Sequence, residues 1–429
     1  MKRRSRMLTF TLGAAALATG MASAAPVLSA SASTPRSSQP ALRAHKVILT
    51  GKTSGVALTL MFGSSGPAET KAVDAAASAW GKSSHNKVTV INASNFNQQL
   101  DQAFAGGTPP DVFYLGSQQL QQFARQGELL PYASLVAPAN AFYPALVKAY
   151  TWNKTWYCVP KDFSNLALEI NTTMWKAAGL GAPPKNWTQL QADATALTKG
   201  GVVGLDVGNT IDRLGAFMYE NGGGYYNKTG TSFDFNSRQN IQALQFVQSM
   251  AKKGILEFPP QQASGWAGQA FGEGKAAMAT EGNWIIGAMK SSYPKISWEA
   301  VPLPAGPSGV QGTLTFTNCW GIPSASKNSA AAVNFVKFLT SSGQQLKFAN
   351  AFGVLPSRIA AAKAYAKQNP QVAGFVAGTP YAHAPVPTPG YATVQAQFDS
   401  QTLGLATGGS NPATMLDQLQ QNAQALLQP

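Results

Sequence analysis

The sequence predicts a two-lobed α/β fold, and three observations carry this prediction. The chain has 429 residues, more than one ordinary hydrophobic core accommodates, so two lobes are expected. Its hydrophobic residues amount to 45% and its charged residues to 12%, a globular composition in which Gln, Asn, Ser and Thr supply the polar surface. Strand-like apolar runs alternate with helix-like runs, which is typical of α/β sheets.

The N-terminus is predicted to be a signal peptide, residues 1–24. Basic residues between positions 2 and 6 precede an apolar run at 7–21, and Ala-Ser-Ala at 22–24 offers a cleavage site. The apolar run is too short to span a bilayer, and no cysteine follows it to carry a lipid anchor. Residues 25–45 are rich in Ala, Ser and Pro and predict a flexible linker. We therefore expect an exported, extracytoplasmic protein in the periplasm or cell-wall space, soluble or loosely attached to the surface.

The first lobe is predicted from an alternation of strands and helices. The strands are continuous apolar runs, and the first helix repeats Val73, Ala76, Ala77 and Trp80 at helical spacing. In order, the elements are a strand at 56–62, a Gly-Ser-Ser-Gly-Pro turn at 63–67, a helix at 68–80, a strand at 88–91, a helix at 97–104 and a strand at 111–115. This order predicts a mostly parallel sheet.

The rest of the chain continues the α/β pattern. The predicted elements are an extended segment at 157–171, a helix whose start is capped by Trp187, a helix at 238–253, an extended segment at 298–304 and a helix at 330–350 with Ser329 as its N-cap.

Four motifs, taken in order, carry a resemblance to a known family. Residues 271–284 read F-G-E-G-K-A-A-M-A-T-E-G-N-W, and residues 320–328 read W-G-I-P-S-A-S-K-N. With P-P-K-N-W at 183–187 and G-V-L-P-S-R at 353–358, they resemble signatures of extracellular solute-binding proteins of ABC sugar importers, the maltose-binding-protein-like family. The resemblance covers roughly residues 55–420.

This resemblance implies a two-lobed periplasmic-binding-protein fold of type II. Its lobes would be discontinuous, with a ligand cleft between them and three hinge crossovers, which the resemblance assigns to 157–171, 298–304 and 352–358. The expected limits are 46–160 plus 312–350 for lobe 1 and 165–300 plus 355–429 for lobe 2. The implied function is to bind a sugar or oligosaccharide and deliver it to ABC permease subunits, most simply as a monomer.

The resemblance also implies ligand contacts at strand ends and crossovers. Trp284 is the strongest candidate, because a flat indole stacks on the C–H face of a sugar. The alternative interpretations are a tight turn for Gly63 to Ser65, a turn for Asn95 and core packing for several aromatic residues. The full candidate set is Gly63, Ser64, Ser65, Asn95, Gly116, Ser117, Gln118, Asp162, Ser164, Asn209, Asp212, Tyr225, Tyr226, Trp266, Asn283, Trp284, Trp320, Arg358 and Tyr391.

Motifs for catalysis are absent from the sequence. There is no G-x-S-x-G elbow and no H-E-x-x-H motif, and the three histidines have no metal-ligand spacing. We therefore expect no enzyme activity, no metal and no cofactor. The net charge is +14, but the basic residues are scattered singly, so nucleic acid is not an expected partner.

The two cysteines, Cys158 and Cys319, are a disulfide candidate. An even cysteine count in an exported protein favours a bridge, and the alternative is two small buried hydrophobic side chains. For the ligand, the alternatives are a polyamine, iron or a phosphorylated compound bound by the same fold. A secreted carbohydrate-active enzyme is the less favoured possibility.

Overall fold

A computed structural model describes residues 47–227, 232–384 and 391–426. The predicted signal peptide and linker lie outside the described residues. The strands are β1 (Ala57–Phe62), β2 (Lys87–Asn92), β3 (Val112–Gly116), β4 (Thr151–Trp152), β5 (Thr155–Trp156), β6 (Ser164–Asn171), β7 (Val203–Val207), β8 (Leu256–Glu257), β9 (Ala276–Gly282), β10 (Trp298–Val301), β11 (Thr313–Phe316), β12 (Asn318–Gly321) and β13 (Ala382–His383).

Helices surround these strands, and among the described residues none is long and apolar enough to cross a membrane. The helices are α1 (Pro67–Ser84), α2 (Phe96–Ala105), α3 (Leu120–Arg125), α4 (Ala133–Val136), α5 (Pro144–Ala149), α6 (Thr172–Ala177), α7 (Trp187–Leu197), α8 (Ile211–Glu220), α9 (Arg238–Lys252), α10 (Ala267–Gly272), α11 (Ile285–Ser291), α12 (Ser329–Leu339), α13 (Ser342–Phe352), α14 (Ile359–Gln368), α15 (Ala373–Ala377), α16 (Tyr391–Thr407) and α17 (Pro412–Ala425).

The smaller sheet has the strand order β12-β3-β1-β2. β1 pairs in parallel with both β2 and β3, as the strand and helix alternation predicts. β12 closes the sheet on the other edge and runs antiparallel to β3. Helices α1 to α5 and α12 supply apolar side chains to one core around this sheet, which we call the smaller lobe.

The larger sheet has seven strands in the order β13-β11-β6-β9-β7-β8, with β10 also pairing with β6. β7, β8 and β9 are parallel, whereas β6 runs antiparallel to β9, β10 and β11. One face packs against a core that includes side chains of α8, α9, α16 and α17, and the other against α10, α11, α14 and α15. We call this part the larger lobe.

The second crossover lies later in the chain than predicted. Residues 298–304 were expected to cross, but β10 stays in the larger sheet, where Trp298 pairs with Asn171 of β6. β11, expected in lobe 1 with 312–350, also pairs with β6. The chain passes to the smaller sheet at Thr317, between β11 and β12.

The three crossovers are bonded to one another, and together we call them the hinge. In the first crossover, the Lys161 N–H donates to the Asn318 carbonyl of the second, at 2.9 Å. Phe163 and Leu355 exchange two backbone hydrogen bonds of 2.9 Å each, which ties the first crossover to the third. Backbone hydrogen bonds therefore join the first crossover to both of the others, so the hinge is a bonded junction rather than three loose linkers.

Two helix starts lie one residue from their predicted positions, and a side-chain cap explains only the first. The cap of α7 is Asn186, whose side chain accepts from Gln189 N–H, and Trp187 is the first helical residue. α12 starts at Ser329 itself, after Asn328. The predicted single helix at 330–350 is two helices, because the Ser341 hydroxyl accepts from Gln344 N–H and starts α13.

Candidate ligand-binding site

A cavity of about 840 Å³ lies where the carboxyl end of β3 faces the start of α16. Ligands of open α/β sheets bind at the carboxyl ends of strands, so the position is typical of a binding cleft. Its lining residues come from both lobes and are Phe96, Asn97, Gly116, Gln118, Gln119, Gln121, Gln122, Arg125, Gln126, Asn318, Tyr391, Ala392 and Gln395.

Three residues of the predicted set line this cavity: Gly116, Gln118 and Tyr391. Ser117 lies between two of them but is only 3% exposed. Most of the smaller-lobe wall was not predicted. It is the polar face of α3 and its flanks, whose opposite face buries Leu120 and Phe123 in the core.

The lining is rich in side-chain amides. Gln and Asn each offer two N–H donors and a carbonyl acceptor, which suits hydroxyl groups that both donate and accept. The described lining residues include one cation, Arg125, and no carboxylate. The wall can therefore satisfy many hydrogen bonds without burying a negative charge.

In the larger lobe, Trp284 stands at the end of β9 and lies outside the lining of the cavity. Its indole N–H donates to the Glu281 carboxylate at 2.9 Å. The Arg213 guanidinium lies over the indole, 4.6 Å from the ring centroid, and forms an ion pair of 3.0 Å with Glu281. Burial raises the pKa of Glu281, and Arg213 and Trp284 oppose that shift.

Two other predicted residues, Asn209 and Asp212, lie near the start of α8. Gln395, which lines the cavity, donates to the Asp212 carboxylate at 2.8 Å, and burial raises the pKa of Asp212. The Asn209 carbonyl accepts from the Thr402 hydroxyl at 2.8 Å. These contacts join the α8 start to α16 beside the cavity.

Asp162 belongs to an ionic cluster at the hinge, the hinge cluster of Lys161, Asp162 and Glu69. The Lys161 ammonium lies 2.5 Å from Asp162 and 3.1 Å from Glu69. Burial alone would raise the pKa of Glu69, but Lys161 and hydrogen bonds from Ser65 and Tyr114 lower it to about 2. Burial raises the pKa of Asp162 to about 6, against the effect of Lys161. The Asp162 carboxylate is thus already paired with the Lys161 ammonium.

The predicted turn after β1 is attached to this cluster. Ser65 donates to Glu69 from both its backbone N–H and its hydroxyl, each at 2.7 Å. Ser64 lines a separate pocket of about 550 Å³ on the smaller lobe, and its N–H donates to the Asn92 side chain. Gly63 packs against Phe96, where a Cβ atom would approach the Phe96 side chain to 2.9 Å.

Several predicted residues are buried and bonded to protein groups. Tyr225 is fully buried, and its hydroxyl donates to the Ile211 carbonyl at 2.6 Å. Trp320 is 1% exposed and packs edge-on against Tyr114. Asn283 is buried, with its amide donating to the Gly353 carbonyl at 2.6 Å. These side chains have no surface to offer a ligand, so their role in this structure is packing.

The remaining predicted residues are dispersed. Tyr226 stacks on Phe233, and Trp266 is half-buried beside Gly268 in α10. The Arg358 side chain donates to a carbonyl at the end of α12 and lies over Phe142. Asn95 is exposed before α2, and Ser164 begins β6.

The larger lobe also contains two buried carboxyl groups, which we call the sheet carboxyls. Glu169 and Asp206 flank Ala279 on either side of β9 and are both fully buried. Burial raises the pKa of Asp206 to about 8, and that of Glu169 well above its ordinary range. Neither oxygen of Asp206 has a hydrogen-bond partner among the described residues.

Cys158 and Cys319 form a disulfide, with their Cα atoms 5.8 Å apart. It lies next to the backbone bridge between Pro160 and Cys319, where the first two crossovers meet. In the part of the chain that the structure describes, no group of three or more His, Cys, Asp or Glu side chains could hold a metal ion.

The bacterial extracellular solute-binding protein family matches residues 71–374 of the chain. A protein of Brucella abortus (strain 2308), named only as a binding protein, is 25% identical over 341 residues, which span 77% of this chain and 82% of that protein. The diacetylchitobiose binding protein DasA of Streptomyces coelicolor is 25% identical over 293 residues, which span 63% of this chain and 66% of DasA.

Solved structures give the same result for the fold. The sugar-binding protein MalE from Xanthomonas citri is similar with a TM-score of 0.77 at 19% identity, covering 86% of this chain and 97% of that chain. At this identity the likeness concerns the fold alone, and it confirms the predicted two-lobed α/β fold.

Proposed function

This chain belongs to the family of bacterial extracellular solute-binding proteins, and from this premise we propose that it binds a sugar or oligosaccharide between its two lobes and delivers it to an ABC permease. The observation that carries the proposal is the amide-lined cavity between α3 and α16. Amide groups and an arginine can pair with hydroxyl and acetamido groups, which oligosaccharides present in quantity.

The lining argues against the alternative ligands. A polyamine would need carboxylates to neutralise its ammonium groups, and the described lining has none. Iron would need a cluster of anionic oxygen ligands, whereas the lining includes one tyrosine, Tyr391. A phosphorylated ligand would depend on Arg125 as the single lining cation. Uncharged sugars fit this wall better than any of these.

The ligand would favour the closed arrangement of the lobes by touching both walls, as a shift between existing states. Gly116 and Gln118 would contact it from the smaller lobe, and Tyr391 and Gln395 from the larger lobe. We further propose that residues 1–24 direct export, that the protein acts outside the cytoplasm as a monomer, and that its lobe limits are close to those predicted except at the second crossover, which lies near Thr317.

The test is isothermal titration calorimetry on the full chain after signal removal. The panel contains maltodextrins and N-acetylated chitooligosaccharides of two to six units, with spermidine, Fe(III) citrate and glucose 6-phosphate as the other classes. We expect saturable binding of one sugar class and no turnover of it. Heat from spermidine, iron or the phosphorylated sugar alone would contradict the sugar assignment.

Gln118→Ala and Gln122→Ala locate the site. Each removes about one hydrogen bond to the ligand, which corresponds to roughly 3- to 10-fold weaker binding. Gln368→Ala, an exposed glutamine on α14, is the matched control and should bind like the unmodified chain. Equal affinity in all three variants would place the site elsewhere.

A further inference from the structure

The indole of Trp284 is not an open stacking platform. The Arg213 guanidinium covers it at 4.6 Å from the ring centroid, and Phe316 meets it edge-on with centroids 5.7 Å apart. A pyranose ring therefore cannot lie on the face that Arg213 occupies unless the arginine leaves.

Glu281 fixes Arg213 and Trp284 as one unit. A single carboxylate oxygen, Oε2, accepts from Arg213 Nε at 3.1 Å, from Arg213 Nη2 at 3.0 Å and from the indole N–H at 2.9 Å. Glu281 is 1% exposed, so these charge-assisted bonds are shielded from water. Neither partner can rotate away without leaving a buried carboxylate short of donors.

Two glycines make room for this unit at the ends of neighbouring strands. After β7, a Cβ atom at Gly208 would meet the Arg213 side chain at 2.8 Å. At the end of β9, a Cβ atom at Gly282 would meet the Trp284 ring at 2.2 Å. The backbone is thus shaped on both strands to accept these side chains.

The unit lies beside the cavity. Asp212, the neighbour of Arg213, accepts from Gln395, which lines the cavity. Phe316 stands two residues before Asn318, another lining residue. The Arg213 side chain retains 19% exposure, while Glu281 behind it is almost fully buried. Arg213 and the half-buried Trp284 therefore keep exposed surface, whereas Glu281 does not.

We propose that Arg213 is a specificity-determining residue of the larger lobe and that Glu281 is its positioning residue. This inference rests on the proposed sugar-binding function and assigns the contact to the guanidinium rather than to an open indole face. A guanidinium only donates hydrogen bonds, so it selects acceptor oxygens of the sugar, and its plane is held by stacking and by Glu281. The lysine ammonium is not planar and lacks the paired N–H donors of a guanidinium, so lysine should not substitute for Arg213.

The probe is the oligosaccharide of the calorimetry panel that the unmodified chain binds most tightly. We expect Arg213→Gln to weaken its binding about 10- to 100-fold, the range for a lost hydrogen bond to a charged group. Arg213→Lys should restore little of that loss. Glu220→Gln is the matched control for the Glu281→Gln substitution used in the double-mutant cycle. Like Glu281, Glu220 is a buried acid that accepts from an indole N–H, that of Trp187, and it does not line the cavity.

A double-mutant cycle tests the positioning role. If Glu281 acts through Arg213, Glu281→Gln weakens binding, and adding it to Arg213→Gln causes no further loss. A merely structural Glu281 would weaken binding to the same factor in both backgrounds, which would overturn its assignment. Thermal unfolding of each variant shows that it is folded, and Arg213→Met replaces any Arg213→Gln protein that is not.

The outcomes separate the two proposals. If the unmodified chain binds a sugar and Arg213→Gln binds it within threefold, the role of Arg213 is wrong and the sugar-binding function stands. If the unmodified chain binds no sugar of the panel, the proposed function is overturned and this inference with it.

Discussion

The hinge cluster and the sheet carboxyls are both buried acidic regions, yet they are held in opposite ways. At the hinge, Glu69 has a pKa of about 2 because Lys161 and hydrogen bonds overcome the cost of burial. In the larger sheet, Asp206 has a pKa of about 8 because burial acts without a cation beside it. The comparison teaches that burial raises the pKa of an acid in this protein unless a cation and several hydrogen-bond donors together oppose it, as they do at Glu69 but not fully at Asp162.

The largest effect is expected at Lys161. Lys161→Met would leave Glu69 and Asp162 buried near each other without a cation, and removing one partner of a buried ion pair costs about 3–5 kcal/mol. We expect the free energy of unfolding in urea at pH 7 to fall by about that amount. Lys275→Met is the control, because Lys275 pairs with Glu273 at the surface, where a pair contributes about 0–1 kcal/mol.

If both lysine variants were equally stable, the hinge cluster would not differ from a surface pair. The contrast between the two regions would then lose its basis.

A smaller, pH-dependent effect is expected at Asp206. Its raised pKa means that the folded chain binds a proton that the unfolded chain releases, so stability falls as pH rises from about 4 to about 8. Asp206→Asn removes this titrating group, and we expect the loss of stability between pH 5 and pH 8 to shrink by about 3–4 kcal/mol. Urea unfolding at both pH values measures it.

Asp74→Asn, at an exposed position on α1, should keep the pH dependence of the unmodified chain. A pH dependence that survived unchanged in Asp206→Asn would mean that Asp206 is ionised in the fold.

The smallest effect is expected at Ser65, which sharpens the description of the hinge cluster. Ser65→Ala removes the hydroxyl that donates to Glu69 at 2.7 Å, and we expect a loss of about 1 kcal/mol at pH 7. Because the lowered pKa of Glu69 stabilises the fold only above the acidic range, this loss should disappear as pH falls from about 4.5 to about 2. Thermal unfolding across pH 2 to 7 follows it, and a loss independent of pH would point to the turn rather than to Glu69.

Local patterns in the sequence were enough to predict the fold class. The parallel β1, β2 and β3 follow from apolar runs and helical periodicity, which are properties of short segments. The second crossover was misplaced because β10 and β11 belong to the larger sheet through pairing with β6, more than 100 residues earlier in the chain. Strand pairing over such a distance leaves no signal in the local sequence of β10 or β11.

Only part of the site was predicted, because some of its residues are also placed by contacts that are distant in the sequence. Gln118 follows the end of a predicted strand and Trp284 ends the motif at 271–284, whereas Arg213 acquires its place from Glu281, 68 residues away. The amides of α3 and its flanks carried a usable signal, since Gln118, Gln122 and Gln126 recur at helical spacing opposite the buried Leu120. The burial of Tyr225 could not be predicted, because the local sequence does not distinguish a tyrosine in the core from one in the cleft.

The disulfide makes the larger lobe part of a closed covalent ring. Cys158 and Cys319 are 161 residues apart, and every strand from β6 to β11 lies between them. One proteolytic cut inside this ring leaves a single molecule on a non-reducing gel and two fragments only after reduction. A single cut in a loop between Cys158 and Cys319 would therefore leave both pieces of the chain covalently joined.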